Sequence, residues 1–236
     1  DNTKTDGEGS KSESFITVST PLYIATLTNR SGGSFVNYII KDDGSEKSKY
    51  LGGYDDDGIF NPDLSVSLII PSDAGCMPCL AGYDERSVQY MYLNHPFNLL
   101  NFHNSDTLFI DQDESIELTY QMIGQEDQVL ITKSVVFFGN SYISNHVFSI
   151  DNNNFELSEN IELVWHGGLR PTEEKVDEDV QYGSGIISQA GEIDDIQTKG
   201  PEKDIERIVY KGQTEWVAVR TKYFISALLV DVPGNY

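Results

Sequence analysis

No run in the 236-residue sequence approaches the roughly 18 to 20 consecutive apolar residues that cross a bilayer as a helix. No secretory leader is legible at the start, and position 1 is Asp rather than Met. The sequence therefore reads as a soluble piece of something longer. Basic residues are scarce: 16 Lys and Arg stand against 38 Asp and Glu, a net charge of -22. A surface this acidic repels phosphate backbones and anionic headgroups. That excludes direct nucleic-acid binding and electrostatic attachment to a membrane surface. Common catalytic motifs are missing too: there is no G-x-S-x-G, HExxH, Walker A loop or GxGxxG. No catalytic residue, metal centre or cofactor is assigned.

What is present is a β signal. Apolar residues make up 39% of the chain, enough for a sizeable core. The stretch Ser115 to Met122 alternates strictly, with Ile116, Leu118, Tyr120 and Met122 on one face, the pattern of a half-buried strand. Gln128 to Phe138 and Tyr142 to Ile150 are rich in β-branched and aromatic residues. Joined through Gly139-Asn140-Ser141, they read as a hairpin. Further strands are expected in FITVST, LYIATLT, SFVNYII, SVSLII and IELVW, each bounded by Pro, Gly, Asn or Asp. Many short strands with turn residues between them argue a sandwich or closed barrel. Asp1 to Ser14 carries no large apolar residue and reads as a tether, since it buries too little to offset its ordering entropy. Arg170 to Gly185 reads as an acidic loop with one helical turn, and Ser188 to Asp204 as a hairpin tip or mobile loop.

Cys76 and Cys79 form a lone C-x-x-C. Such a pair fits a redox motif, half a zinc site or a small structural disulfide. Zinc needs two more ligands, and only His95 or His103 offer an approach. The all-β setting, with Pro71, Gly75 and Gly82 around the pair, favours a loop disulfide over an inert reduced pair and over redox catalysis. Asp55-Asp56-Asp57-Gly58 and Asp42-Asp43-Gly44 resemble fragments of calcium loops, but neither completes the pattern. Asp-Gly is also a turn signal, and solvated turns are the expectation.

The stretch Trp216 to Leu229 is strongly apolar and carries two basic residues. Trp216, Val219, Tyr223 and Ala227 lie at helical spacing. This predicts a short helix from about Glu215 to Tyr223, then a strand towards Val230 stopped by Pro233-Gly234. The segment reads as core with Arg220 and Lys222 snorkelling outward. Trp216, Arg220, Tyr223 and Phe224 are the candidate core or partner-contact residues.

Three ordered stretches resemble a known family. They are Asn29-Arg-Ser-Gly-Gly-Ser-Phe35, then KSVVFFGNSYISNHVFSI followed by LVWHGGLRPTEE, and finally Glu215-Trp216-Val217-Ala218 with Lys222-Tyr223-Phe224. Together, from about Phe15 to Val232, they resemble the large periplasmic domain of YidC-type bacterial membrane protein insertases. The resemblance implies a β-supersandwich, the shape shared with galactose mutarotase; with the helix expected from the spacing over Glu215 to Tyr223, the fold class is mainly β, a supersandwich with one short helix near the C-terminus. It implies residues 1–14 as tether and 15–236 as the domain, on the periplasmic face of the inner membrane, with flanking membrane helices outside this sequence. It implies a non-catalytic scaffold that docks the Sec translocon and its accessory subunits. In the family the domain continues with further strands beyond the Trp…Tyr-Phe segment, whereas this sequence ends at Tyr236.

The alternative function is a carbohydrate-binding or aldose-epimerase-like protein of the mutarotase shape. Fold does not fix function. Epimerisation needs a His acid and a carboxylate base flanking the sugar, and the candidates are His146 or His166 with Glu162 or Glu173.

Overall fold

The computed structural model describes residues 12–42, 45–55, 57–70, 75–84, 89–103, 106–124, 126–151, 161–197 and 208–235. Most of the tether, one or two residues of each Asp-Gly turn, and the end of the Ser188 to Asp204 excursion lie outside these residues. The described residues are mainly β, as the alternating pattern predicted. The first strands are β1 (Phe15–Ser19), β2 (Tyr23–Thr28), β3 (Ser34–Ile40), β4 (Leu51–Tyr54) and β5 (Phe60–Ser65). Then come β6 (Cys79–Asp84), β7 (Gln89–Tyr92), β8 (Asn98–Leu99), β9 (Thr107–Phe109), β10 (Ser115–Ile123), β11 (Val129–Phe138), β12 (Ser144–Ile150) and β13 (Ile161–Val164). The helix α1 (Val176–Tyr182) precedes β14 (Ser184–Gln189), β15 (Glu192–Gln197), β16 (Gln213–Arg220) and β17 (Ile225–Asn235). Several sheets with one short helix are compatible with a supersandwich.

The chain divides into two compact units. The first holds residues 1–20, 25–36 and 72–166, and the second holds 21–24, 37–71 and 167–236. In the first unit, β10, β11 and β12 form an antiparallel meander with β8 on its far side. The period-2 pattern explains it. Leu118 and Tyr120 of β10, and Ile131, Val135 and Phe137 of β11, are buried on one face. Burying each such side chain contributes about 1.5–3 kcal/mol. Phe35 of β3 meets Phe137 edge to face at 6.1 Å between ring centroids. A second sheet of this unit runs β13-β6-β7, and β1 pairs in parallel with β9.

In the second unit the sheet order is β15-β14-β16-β17, every pair antiparallel. The turn between β14 and β15 is Ala190-Gly191, with φ of 50° and 82°. Two successive left-handed residues give the tight hairpin turn whose twist matches the strands. A small core of Val66, Leu68 and Leu169 is flanked by Tyr38, Ile40, Val219 and Phe224.

Three expectations fail here. The last strand is not stopped by Pro233-Gly234; β17 runs through them to Asn235, with Gly234 opposite Thr214. The helix over Glu215 to Tyr223 is not formed; those residues lie mostly in β16, between β14 and β17. The i, i+3, i+7 spacing of Trp216, Val219 and Tyr223 is outweighed by ladder bonds on both edges of a segment rich in Val, Thr and Trp, residues that suit a pleated surface. The short helix lies instead at α1, inside the acidic stretch read as a loop with one helical turn. Acidic residues such as Asp177 in its first turn complement the helix dipole. SVSLII is not a regular strand either; β5 ends at Ser65, and only Ile69 makes an isolated bridge, to Leu169.

Candidate functional site

The most constrained chemistry of the first unit is a lysine with no exposure at all. Lys133 sits on β11 at a position where the alternation calls for an apolar residue, between Ile131 and Val135. Its Nζ donates to Ser31 O at 3.0 Å, Gly33 O at 3.3 Å and Pro78 O at 2.9 Å. It also lies 4.8 Å from the centre of the Phe148 ring. Three carbonyls match the three N–H donors of an ammonium group. Burial opposes that charge and pushes the pKa down to about 7. Nearby His146 is held well below its ordinary value by burial and by the charge of Lys133.

The carbonyls face inward because of the Asn29-Arg-Ser-Gly-Gly stretch. Ser31, Gly32 and Gly33 all have left-handed backbones, with φ of 54°, 66° and 93°. A Cβ on Gly32 would stand 2.9 Å from Phe97 Cδ2 and 3.0 Å from Lys133 Cδ. Only glycine fits there. The third wall is the C-x-x-C segment. Cys76 and Cys79 are joined by a disulfide, and both are fully buried. Gly75 O accepts from the Ser31 and Ser34 hydroxyls at 2.6 and 2.9 Å. Met77 O accepts from Phe35 N at 3.0 Å, and Met77 N donates to Ser34 Oγ at 3.0 Å.

The second unit carries a contrasting, partly exposed cluster. Glu173 Oε1 accepts from Lys222 Nζ at 3.2 Å and from the Tyr223 hydroxyl at 2.6 Å. These bonds, Tyr223 first, hold the Glu173 carboxyl below its ordinary range. The Tyr223 hydroxyl and the Glu173 carboxylate push Lys222 up in turn. Lys222 also lies 4.9 Å from the Tyr223 ring centre and 5.9 Å from that of Tyr182 on α1. Glu173 is positioned by its backbone: Tyr54 donates to its carbonyl at 2.8 Å, and its N–H donates to Asp179 Oδ2 at 3.0 Å. Asp179 Oδ2 also accepts the Thr172 N–H.

Of the four residues nominated near the C-terminus, Tyr223 is 59% exposed and Arg220 is exposed, pairing with Asp195 at 2.9 Å. Trp216 is half-buried. Phe224 is half-buried too, edge to face with Tyr50 at 5.2 Å and against the Val66, Leu68 and Leu169 core. The residues nominated for sugar chemistry are engaged elsewhere. His146 Nε2 bonds Ser144 Oγ at 2.9 Å, and Glu162 accepts the Tyr90 hydroxyl. His166 lies against the Tyr92 ring. Asp55 Oδ1 accepts from the N–H groups of Asp57 and Ile59 at 3.1 and 2.8 Å, which is turn capping.

Sequence pattern alone does not single out Lys133. The available signal was a Lys on the buried parity of the run Ile131, Lys133, Val135, Phe137. Glu173 was named only as a base, and its link to Lys222 and Tyr223 joins segments far apart in sequence.

The fold defines a mainly-β protein with one polar cluster around Lys133 and another around Glu173 and Lys222. Comparison with known proteins points the same way. The chain is similar to the membrane protein insertase YidC of Chloroherpeton thalassium, at 24% identity over 92% of this chain and 33% of that protein. It is equally similar, over the same shares, to the YidC insertase of Chlorobaculum tepidum. The YidC insertase of Prosthecochloris aestuarii is 27% identical over 51% of this chain and 20% of its own length. The resemblance to YidC-type insertases is thereby borne out. The chain spans about a third of the length of the curated relatives that it matches over 92% of its own. No protein-family model matches it. Among the described residues no helix is long and apolar enough to cross a membrane.

Proposed function

We propose that this chain is the large periplasmic domain, residues 15–236, of a YidC-type membrane protein insertase of the inner membrane. The observation that carries the reading is similarity along 92% of the chain to two insertases of that name. The domain is a non-catalytic scaffold. Its motif residues Lys133, Glu173 and Lys222 are consumed in internal contacts rather than presented to a substrate. Insertion itself belongs to membrane-spanning parts of the whole protein.

The docking surface for the Sec translocon and its accessory subunits is the β16–β17 hairpin. Tyr223 and Arg220 offer an exposed aromatic ring and an exposed guanidinium there, residue types enriched at interfaces. Trp216 and Phe224 are half-buried. The test places a photo-crosslinking residue at 220 or 223 in the full-length protein within native membranes. Adducts with translocon subunits are expected. Adducts at neither position, while crosslinkers elsewhere on the domain do react, sink the docking assignment. Placement is tested separately, by protease added to intact and to opened inner-membrane vesicles.

A further inference from the structure

We infer that the Cys76–Cys79 disulfide is the strut of the Lys133 cage, so that reduction of the pair releases the lysine from its carbonyls. Segment 75–78 belongs to no strand or helix; β6 begins only at Cys79. No ladder therefore fixes its shape, yet every carbonyl in it has an assigned donor. Gly75 O takes two serine hydroxyls, Cys76 O takes His166 N at 2.8 Å, Met77 O takes Phe35 N, and Pro78 O takes Lys133 Nζ. The covalent link ties Cys76 within this segment to Cys79 at the start of β6 and holds those carbonyls at the required positions.

Lys133 has no slack with which to follow a loosened segment. Gly32 closes on its Cβ and Cδ from one side, Phe148 lies over its ammonium, and the Ser31 and Gly33 carbonyls are fixed by their left-handed backbone. The ionisable neighbour that it acts on is His146, whose positive form its charge disfavours. A buried ammonium that loses one of three acceptors keeps its full desolvation cost. The reaction is a two-electron exchange with a dithiol. The Cys76–Cys79 bond breaks, two S–H groups form, and the dithiol supplies both electrons and both protons as it becomes a disulfide. Because both sulfurs are buried, attack requires local opening. Coupling is reciprocal: if the disulfide favours the caged lysine, the caged lysine favours the disulfide.

The decisive measurement uses the whole chain with isotope-labelled lysine. The Lys133 side-chain resonance is followed as dithiothreitol reduces the protein, with Lys222 in the second unit as internal control. Movement of Lys133 towards the position of a solvated lysine, with Lys222 unmoved, is the expected result. An unmoved Lys133, or both resonances moving together as the fold is lost, overturns the proposal. Lys133→Met adds a second reading. Its disulfide should be about tenfold easier to reduce in the equilibrium with dithiothreitol. A ratio within about twofold of the unsubstituted protein means independent groups and also overturns it. The labelled measurement needs no substitution and stands if Lys133→Met does not fold.

Discussion

Lys133 and Lys222 are treated in opposite ways by their two units. Lys133 is sealed in a core, its ammonium satisfied by three backbone carbonyls, and its pKa is driven down by burial. Lys222 lies at a rim with its side chain 26% exposed, and Tyr223 and Glu173 push its pKa up. The first arrangement demands close geometry because an unsatisfied buried donor is costly. The second tolerates error because water stands ready to replace either partner. A change beside the core lysine should therefore be felt strongly, and a change beside the rim lysine weakly.

The largest effect should come from removing the buried lysine. Lys133→Ala empties a long side chain from a packed site and leaves three inward carbonyls without a donor. The loss should be about 3–5 kcal/mol in urea unfolding. A loss no larger than that of Lys222→Ala would erase the contrast.

The pH response comes next, and the two lysines act with opposite signs. An unfolded lysine titrates near about 10.4, while folded Lys133 titrates at about 7. Between those values the unfolded chain binds more protons, so stability from this group rises with pH from about 7 to 10 and is lost as pH falls back through 7. The difference between the protein and Lys133→Met across that window should be on the order of a few kcal/mol. The folded pKa of Lys222 is raised, so its contribution is complete below the unfolded value and disappears only at still higher pH. His146 behaves like Lys133 at lower pH: its depressed folded pKa makes stability fall as pH drops below about 6.5.

Gly32→Ala should cost about 1–3 kcal/mol, since it adds a Cβ against Phe97 and Lys133 at a left-handed position. A thermal melt checks it. The smallest effect belongs to the rim: Glu173→Gln should leave the urea midpoint unchanged while reducing the upward shift of Lys222, to which the Tyr223 hydroxyl also contributes, readable in a lysine titration by NMR.

The sequence disclosed these regions unevenly, for a physical reason. The β10 to β12 meander was legible because one face is buried and the other is not, which writes a period of two into the residues. β15 was read as a polar excursion because it is exposed along most of its length, so no face leaves a mark. β16 is ambiguous in sequence because Trp216 to Val219 are apolar and at least half-buried at consecutive positions, and such a run also fits helical spacing. Each cluster joins side chains from segments that no local pattern links; Lys133 and Ser31 are 102 residues apart. The three resemblance stretches hold Ser31, Gly33, Lys133, Glu173, Lys222 and Tyr223 but not the Pro78 segment, and they do not reveal which residue touches which.

The parallel pairing of β1 with β9 sets a condition on how the chain is made. Thr17 meets Thr107, so the partner of β1 emerges 107 − 17 = 90 residues later. At roughly 5–20 residues per second of synthesis, β1 waits on the order of 5–20 s before that edge can be covered. Its sequence, FITVS, is β-prone and uncharged, so the delay leaves an adhesive strand exposed on a nascent chain. Contacts this distant in sequence also slow folding after release. Until that partner arrives, the uncovered edge of β1 is open to pairing with other chains.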